Sequence, residues 1–173
     1  GQAIESVLSQ DIRSMEVVVL DNASTDETPE VIGRYLHDPR VRSVRNMENI
    51  GVSANWNRGV HEARGKFIAL LCSDDYFLPG HLKSLLSEMR TNPSCDIAYA
   101  PIMVVDEEGR LVRRWTHPGY APRSYRGERD EFPLLLSCDS YVTPSAALIR
   151  SSSLPAGDSF DQGLRGAIDW DLW

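Results

Sequence analysis

The chain has few of the residues that would staple or anchor it. Only three cysteines occur in 173 residues, Cys72, Cys95 and Cys138, far apart and without any Cys-x-x-Cys spacing. That pattern excludes a disulfide framework and a structural zinc site, and it suits a reducing compartment, the cytoplasm. The four histidines, His37, His61, His81 and His117, show no zinc spacing either. No apolar run approaches the ~20 residues of a membrane-spanning helix, and Gly1 to Gln10 lacks the basic-then-apolar order of a secretion signal. No Gly-x-Gly-x-x-Gly follows a strand-like run, and neither Gly-x-x-x-x-Gly-Lys-[Ser/Thr] nor a Gly-x-Ser-x-Gly elbow is present. Dinucleotide dehydrogenases, P-loop enzymes and elbow-type hydrolases therefore lose their main support.

Net positive charge is also missing. The formal net charge is -7, which gives no general attraction to a polyanion, so nucleic acid is not an expected partner. The densest basic group, Arg110, Arg113, Arg114, Arg123, Arg126 and Arg129, is diluted by Glu107, Glu108, Glu128 and Asp130. It reads as a solvated hairpin and loop face, the alternative being a surface for an anionic acceptor or membrane lipid.

What is present is an ordinary globular composition, with 42% hydrophobic and 25% charged residues, in a length that suits one domain with its own core. Helix and strand signals alternate. Ala3, Ile4, Val7 and Leu8 share a helical face, and Glu16 to Leu20 is a β-branched run of strand length. The turn-rich Asp21 to Asp26 precedes helical spacing at Val31, Ile32, Tyr35 and Leu36, with Ser24 and Asp26 as candidate caps. Val41 to Val44 reads as a strand and Val52 to Ala63 as a helix. Phe67 to Cys72 is a continuous apolar run, expected as a central strand covered on both faces. Pro79 suits a first helical turn before Leu82, Leu85, Leu86 and Met89. Beyond Asn92-Pro93, Ile97 to Val105 and Leu111 to Trp115 flank a hairpin turn. A surface loop over 117–129, a short helix over 130–137, a strand over 146–149 and the start of a helix at Asp169 complete the expectation.

Such alternation implies βαβ units, which bind ligands outside the carboxyl ends of their strands. Two acidic loops fall there. Ser73-Asp74-Asp75 follows the apolar run directly, and paired carboxylates suit magnesium or manganese, with substrate phosphates and water filling the shell. Helix capping is the competing reading, but Pro79 lies four positions beyond Asp75, so neither acid is spaced as an N-cap. Asp21 and Asn22 end another strand, where side-chain oxygens suit a nucleobase or ribose, the alternative being turn chemistry alone. Asp169 and Asp171 sit among bulky apolar residues, where a carboxyl of raised pKa suits a general base, helix capping being the other reading of Asp169.

Taken in order, Val18 to Asp26, Asn49-Ile50-Gly51 with Asn57-Arg58-Gly59, Ala63 to Ile68, Ser73-Asp74-Asp75, Leu78-Pro79, Thr143-Pro144-Ser145, Phe160-Asp161 and Ile168 to Trp173 resemble the family 2 glycosyltransferases. The resemblance implies a Rossmann-like GT-A fold, a mostly parallel central sheet flanked by helices with a mixed C-terminal half. It implies a nucleoside-diphosphate-sugar donor, Mn2+ or Mg2+, and single displacement with inversion onto a saccharide, lipid-linked or protein acceptor, as in cell-surface polysaccharide synthesis. Asp21 and Asn22 would contact base or ribose, Asp74 ribose or metal, Asp75 metal, and Asp169 would deprotonate the acceptor hydroxyl, with Asp171 a lesser candidate. The chain departs from the pattern at Asn22, Trp56, Cys72 and Ile168, where the family often has an acid, Arg, an acid and an acid. Residues 1–95 would form the nucleotide-binding half of a single domain and 96–173 the acceptor half. The family's first strand would precede Gly1 and its last helix continue past Trp173, so the domain reads as truncated at both ends. Peripheral attachment to the inner membrane face and homo-oligomers are compatible partners. The competing functions are a metal-dependent nucleotidyltransferase and a non-catalytic nucleotide-sugar-binding domain.

Overall fold

The computed structural model describes residues 1–115, 142–164, 168–169 and 172. Helix α1 (Gln2–Leu8) leads to strand β1 (Val17–Asp21), and α2 (Thr28–Gly33) crosses over to β2 (Val41–Arg45). Three consecutive valines favour the extended backbone of β1. β1 and β2 pair in parallel, Val17 opposite Val41 through Asp21 opposite Arg45, so an acid and a base face each other where both strands end.

Helix α3 (Val52–Glu62) packs on β1 through Gly59, where a Cβ would lie 2.6 Å from Leu20 Cδ1. Glycine at this helical position, costing about 1 kcal/mol in propensity, is explained by that close approach. Strand β3 (Phe67–Ile68), β4 (Ile97–Tyr99) and β7 (Ala147–Arg150) form an antiparallel sheet in the order β3-β7-β4. Helix α4 (His81–Thr91) covers it, and its periodic Leu85 and Met89 join Ala98 and Leu148 in a buried cluster. Strands β5 (Ile102–Val105) and β6 (Leu111–Trp115) form a hairpin closed through Gly109 at φ 77°.

The structure revises several expectations. Within the apolar run Phe67 to Cys72 only Phe67–Ile68 forms a ladder, and its partner is antiparallel. Ala69 to Cys72 instead stand half-buried along a cleft of about 1940 Å³, facing Val17 to Leu20 of β1. Continuous apolarity records burial, which the cleft wall supplies here without strand pairing. The expected strand over Ile97 to Val105 is split at Ala100-Pro101, because Pro101 has no N–H to donate to a ladder. Helix α4 starts at His81, with Gly80 at φ 81°, so Pro79 precedes the helix rather than opening it. Helix α2 ends at Gly33, and Tyr35 and Leu36 fall in the turns that follow. The loop over 117–129, the helix over 130–137, Cys138 and Asp171 lie outside the described residues. Among the described residues no helix is long and apolar enough to cross a membrane.

Buried polar groups tie α1 to the segment before α4. Gln10, 4% exposed, donates from Nε2 to the carbonyls of Ser6 (3.1 Å) and Leu78 (3.0 Å), and its Oε1 accepts from Leu82 N–H (3.2 Å). Ser6 Oγ accepts from Phe77 N–H at 3.0 Å. Gln10 thus caps α4 from a distance, supplying the acceptor that Gly80 cannot.

Candidate functional site

The loop after β3 carries the paired acids. Asp74 and Asp75 are exposed and Cys72 is half-buried, and one ligand atom from each lies within 4.8 Å of the others. The loop is held by Cys72 N–H donating to Ser145 Oγ at 3.1 Å and by Asp75 N–H donating to Cys72 O at 3.2 Å. Neither acid caps α4, whose N-cap is Gly80. Two carboxylates on a short, anchored turn fit a hard divalent cation, which takes oxygen ligands and leaves room for phosphate oxygens.

A third acid acts on the Cys72 thiol. The Cys72 thiol is pushed above its usual pKa, first by burial and then by the negative charges of Asp75, Asp74 and Asp169, against a hydrogen bond from Ser145. Asp169, 94 residues after Asp75 in sequence, lies near enough for its charge to act on the Cys72 thiol. Asp169 is half-buried, and its carbonyl accepts from Leu172 N–H at 3.1 Å.

The first acidic loop lies at the carboxyl ends of β1 and β2. Asp21 is 3% exposed, and its Oδ1 accepts from Ser24 N–H at 2.8 Å while Oδ2 pairs with Arg45. Burial raises the Asp21 carboxyl pKa, but the Ser24 hydrogen bonds and the Arg45 guanidinium outweigh it and hold the group below the usual carboxylate range. Arg45 also donates to Ser24 O at 2.8 Å, across a loop in which Ala23 takes φ 61°, a left-handed conformation uncommon outside glycine. Asn22 Oδ1 accepts from Asn46 Nδ2 (2.8 Å) and Ile50 N–H (3.0 Å), and its Nδ2 donates to Asn49 Oδ1 (2.8 Å). Asn46 Nδ2 donates to Asn55 Oδ1 at 2.9 Å, and Asn46 Oδ1 accepts from Arg58. Asp21 and Asn22 are thereby fixed in place by the loop they organise. Asp26 accepts from Thr28 N–H at 3.0 Å, whereas Ser24 caps no helix.

One feature escaped the sequence reading. Asn57, 3% exposed on α3, donates from Nδ2 to Phe160 O (2.8 Å), and its Oδ1 accepts from the N–H groups of Ser159 (2.9 Å) and Phe160 (2.8 Å). Phe160 is fully buried, edge-on to Trp56 with ring centroids 5.2 Å apart. A carboxamide beside Trp56 in a helix was the available signal, but its partners lie about a hundred residues away and no local pattern reveals them.

A helix-flanked α/β domain with paired, exposed acids on an anchored loop fits the class built for nucleotide-linked substrates. The particular family is shown by sequence: the model of glycosyl transferase family 2 matches residues 1–155, and the chain belongs to that family. The chain is 26% identical, over 99% of its own length and 57% of the relative's, to an uncharacterized glycosyltransferase of Methanocaldococcus jannaschii. It is 30% identical, over 99% of its length and 24% of the relative's, to chondroitin synthase of Escherichia coli. The chain thus spans between about a quarter and somewhat over half the length of these relatives. Its fold matches the crystal structure of S. aureus TarS 1-349 in complex with UDP, with a TM-score of 0.72 and 23% identity, over 99% of this chain and 48% of that one. The GT-A architecture is thereby shown, and the nucleotidyltransferase alternative is set aside.

Proposed function

We propose that this chain is the catalytic core of a glycosyltransferase that moves a sugar from a nucleoside-diphosphate-sugar to an acceptor hydroxyl, with inversion at the anomeric carbon. The observation that carries the reading is the pairing of Asp74 and Asp75 beside Cys72 within a family 2 domain. Asp75 and Asp74 would hold Mn2+ or Mg2+, the alternative role of Asp74 being contact with the ribose. A divalent cation bound there stabilises negative charge on the diphosphate as it leaves. Asp169 takes the proton from the acceptor hydroxyl. The oxygen bonds to the anomeric carbon as the bond to the diphosphate breaks, so the nucleoside diphosphate departs from the opposite face. Asp21 and Asn22, preset by Arg45, Ser24 and Asn46, line the nucleoside end. Residues 1–95 contribute the donor side and 96–173 the acceptor side. The acceptor is a saccharide or a lipid- or protein-linked glycan, in line with the polymer named for the chondroitin synthase relative. The reaction is placed on the cytoplasmic side, at the inner face of the membrane where the acceptor is membrane-bound.

The test is calorimetric titration of UDP, GDP and dTDP with and without Mn2+, on this chain and on Asp75→Ala. Metal-dependent binding that disappears in the variant supports the site. Equal affinity of both proteins in the presence of metal overturns the metal assignment. Asp169→Asn is expected to keep nucleotide binding and lose turnover; undiminished turnover would remove Asp169 as the base, and nucleotide binding without any turnover by the unaltered chain would favour the non-catalytic alternative.

A further inference from the structure

We infer that Cys72 is a third ligand of the divalent cation at Asp74 and Asp75, and that its sulfur gives this site a preference for thiophilic cations such as Zn2+, Co2+ and Cd2+. The inference rests on the reading that the paired acids hold a metal. One ligand atom from each residue, the sulfur of Cys72 and a carboxylate oxygen of Asp74 and of Asp75, lies within 4.8 Å of the other two. Among the described residues no other three His, Cys, Asp or Glu side chains are gathered in this way. In a bound zinc site the sulfur lies about 2.3 Å and a carboxylate oxygen about 2.0 to 2.2 Å from the ion. Donors spaced as these are close on one ion with small rotations of the two exposed carboxylates, leaving the remaining positions to phosphate oxygens or water.

The sulfur is the held member of the set. Cys72 is half-buried on the cleft wall, its N–H donates to Ser145 Oγ at 3.1 Å, and its carbonyl accepts from Asp75 N–H at 3.2 Å. One backbone turn therefore fixes the spacing between the sulfur and the second carboxylate, with Ser145 as the outer support that metal ligands commonly have. A half-buried cysteine is ordinarily packing material, but packing alone does not call for a sulfur within 4.8 Å of two carboxylates. The charges of Asp74 and Asp75 disfavour a free thiolate beside them. A divalent cation among the three groups reverses that balance, because a coordinating thiol is deprotonated outright. Mg2+ and Mn2+ suit oxygen donors, whereas thiolate selects zinc and softer ions, so one sulfur added to two carboxylates tilts the choice of metal toward the second group.

The test is titration of Co2+ and Cd2+ into the intact protein, Cys72→Ser and Asp75→Ala, read by sulfur-to-metal charge-transfer absorption, beside calorimetric affinities for Cd2+ and Mn2+. Cys95 and Cys138 stay in every variant, so a signal arising from either survives in Cys72→Ser. The expected result is a charge-transfer band that Cys72→Ser lacks and Asp75→Ala weakens. Cd2+ affinity should fall in Cys72→Ser by more than about 10-fold, the lower end of what is lost when a group that merely supports a ligand is removed, and Mn2+ affinity should fall less. A band unchanged in Cys72→Ser, or no band beside Mn2+ binding that Asp75→Ala removes, overturns the role of Cys72 while leaving the paired acids as the metal site. Failure of Mn2+, Co2+ and Cd2+ alike to bind, with UDP present, overturns the metal site and this inference together. Cys72→Asp, which puts oxygen in place of sulfur, is the second variant and carries the comparison if Cys72→Ser does not fold. Its ratio of Cd2+ to Mn2+ affinity should drop below that of the unaltered protein, and an unchanged ratio overturns the preference.

Discussion

Replacing Phe160 by alanine separates packing from hydrogen bonding where α3 meets residues 159–160. The ring is fully buried and meets Trp56 edge-on at 5.2 Å, while the backbone of the same residue is gripped independently by Asn57. Truncating a fully buried phenylalanine costs about 3 to 5 kcal/mol, of which the aromatic pair accounts for about 0.5 to 1.5. Against a total stability of about 5 to 15 kcal/mol, that is a large share. With a urea m-value near 2 kcal/mol/M, the unfolding midpoint should fall by about 2 M with m unchanged. Phe160→Leu keeps most of the volume and loses the ring pair, so its cost should be about 1.5 kcal/mol. Urea titration followed by tryptophan fluorescence and circular dichroism reads both variants. A midpoint shift below about 0.5 M for Phe160→Ala would refute the reasoning, because a ring so placed cannot be removed cheaply unless the segment packs elsewhere in solution.

Other outcomes follow from the same geometry. Gln10→Ala strands the carbonyl of Leu78 and the N–H of Leu82 and should cost about 2 to 4 kcal/mol. A calorimetric scan should show the melting temperature falling by about 10 °C, whereas no shift would mean that water replaces the amide. The Asp21 carboxyl is held below its usual pKa, so its stabilising contribution is complete above the unfolded-state value near 3.9 and is lost as pH falls through the folded-state value. Arg45→Met removes a favourable partner, and its acid-unfolding midpoint by circular dichroism should move to higher pH; coincident midpoints would show that Arg45 does not hold the carboxylate.

Periodicity and punctuation made much of the framework legible. Leu82, Leu85 and Met89 at helical spacing became the buried face of α4, and the valine-rich Val17 to Leu20 became β1. Asp21 at the end of β1 was legible, because a strand-to-loop transition is a local signal, whereas Asp74 and Asp75 follow a strand that ends at Ile68, further back than the apolar run implied. Ala69 to Cys72 misled, since an apolar run reports burial without saying whether another strand or a cleft wall provides it. Pro101 showed the reverse, a local feature strong enough to break a strand that hydrophobicity alone would have continued.

The sequence by itself determined the family and much of the element order, because both are written in neighbouring residues or in motif order. Only the tertiary structure decided which distant groups meet. Asn57 is bonded to the backbone of Ser159 and Phe160, and Asn22 is oriented by Asn46 and Asn49. Hydrogen bonds between groups about twenty to a hundred residues apart depend on how strands and helices stack in space, and spacing along a chain carries no record of that.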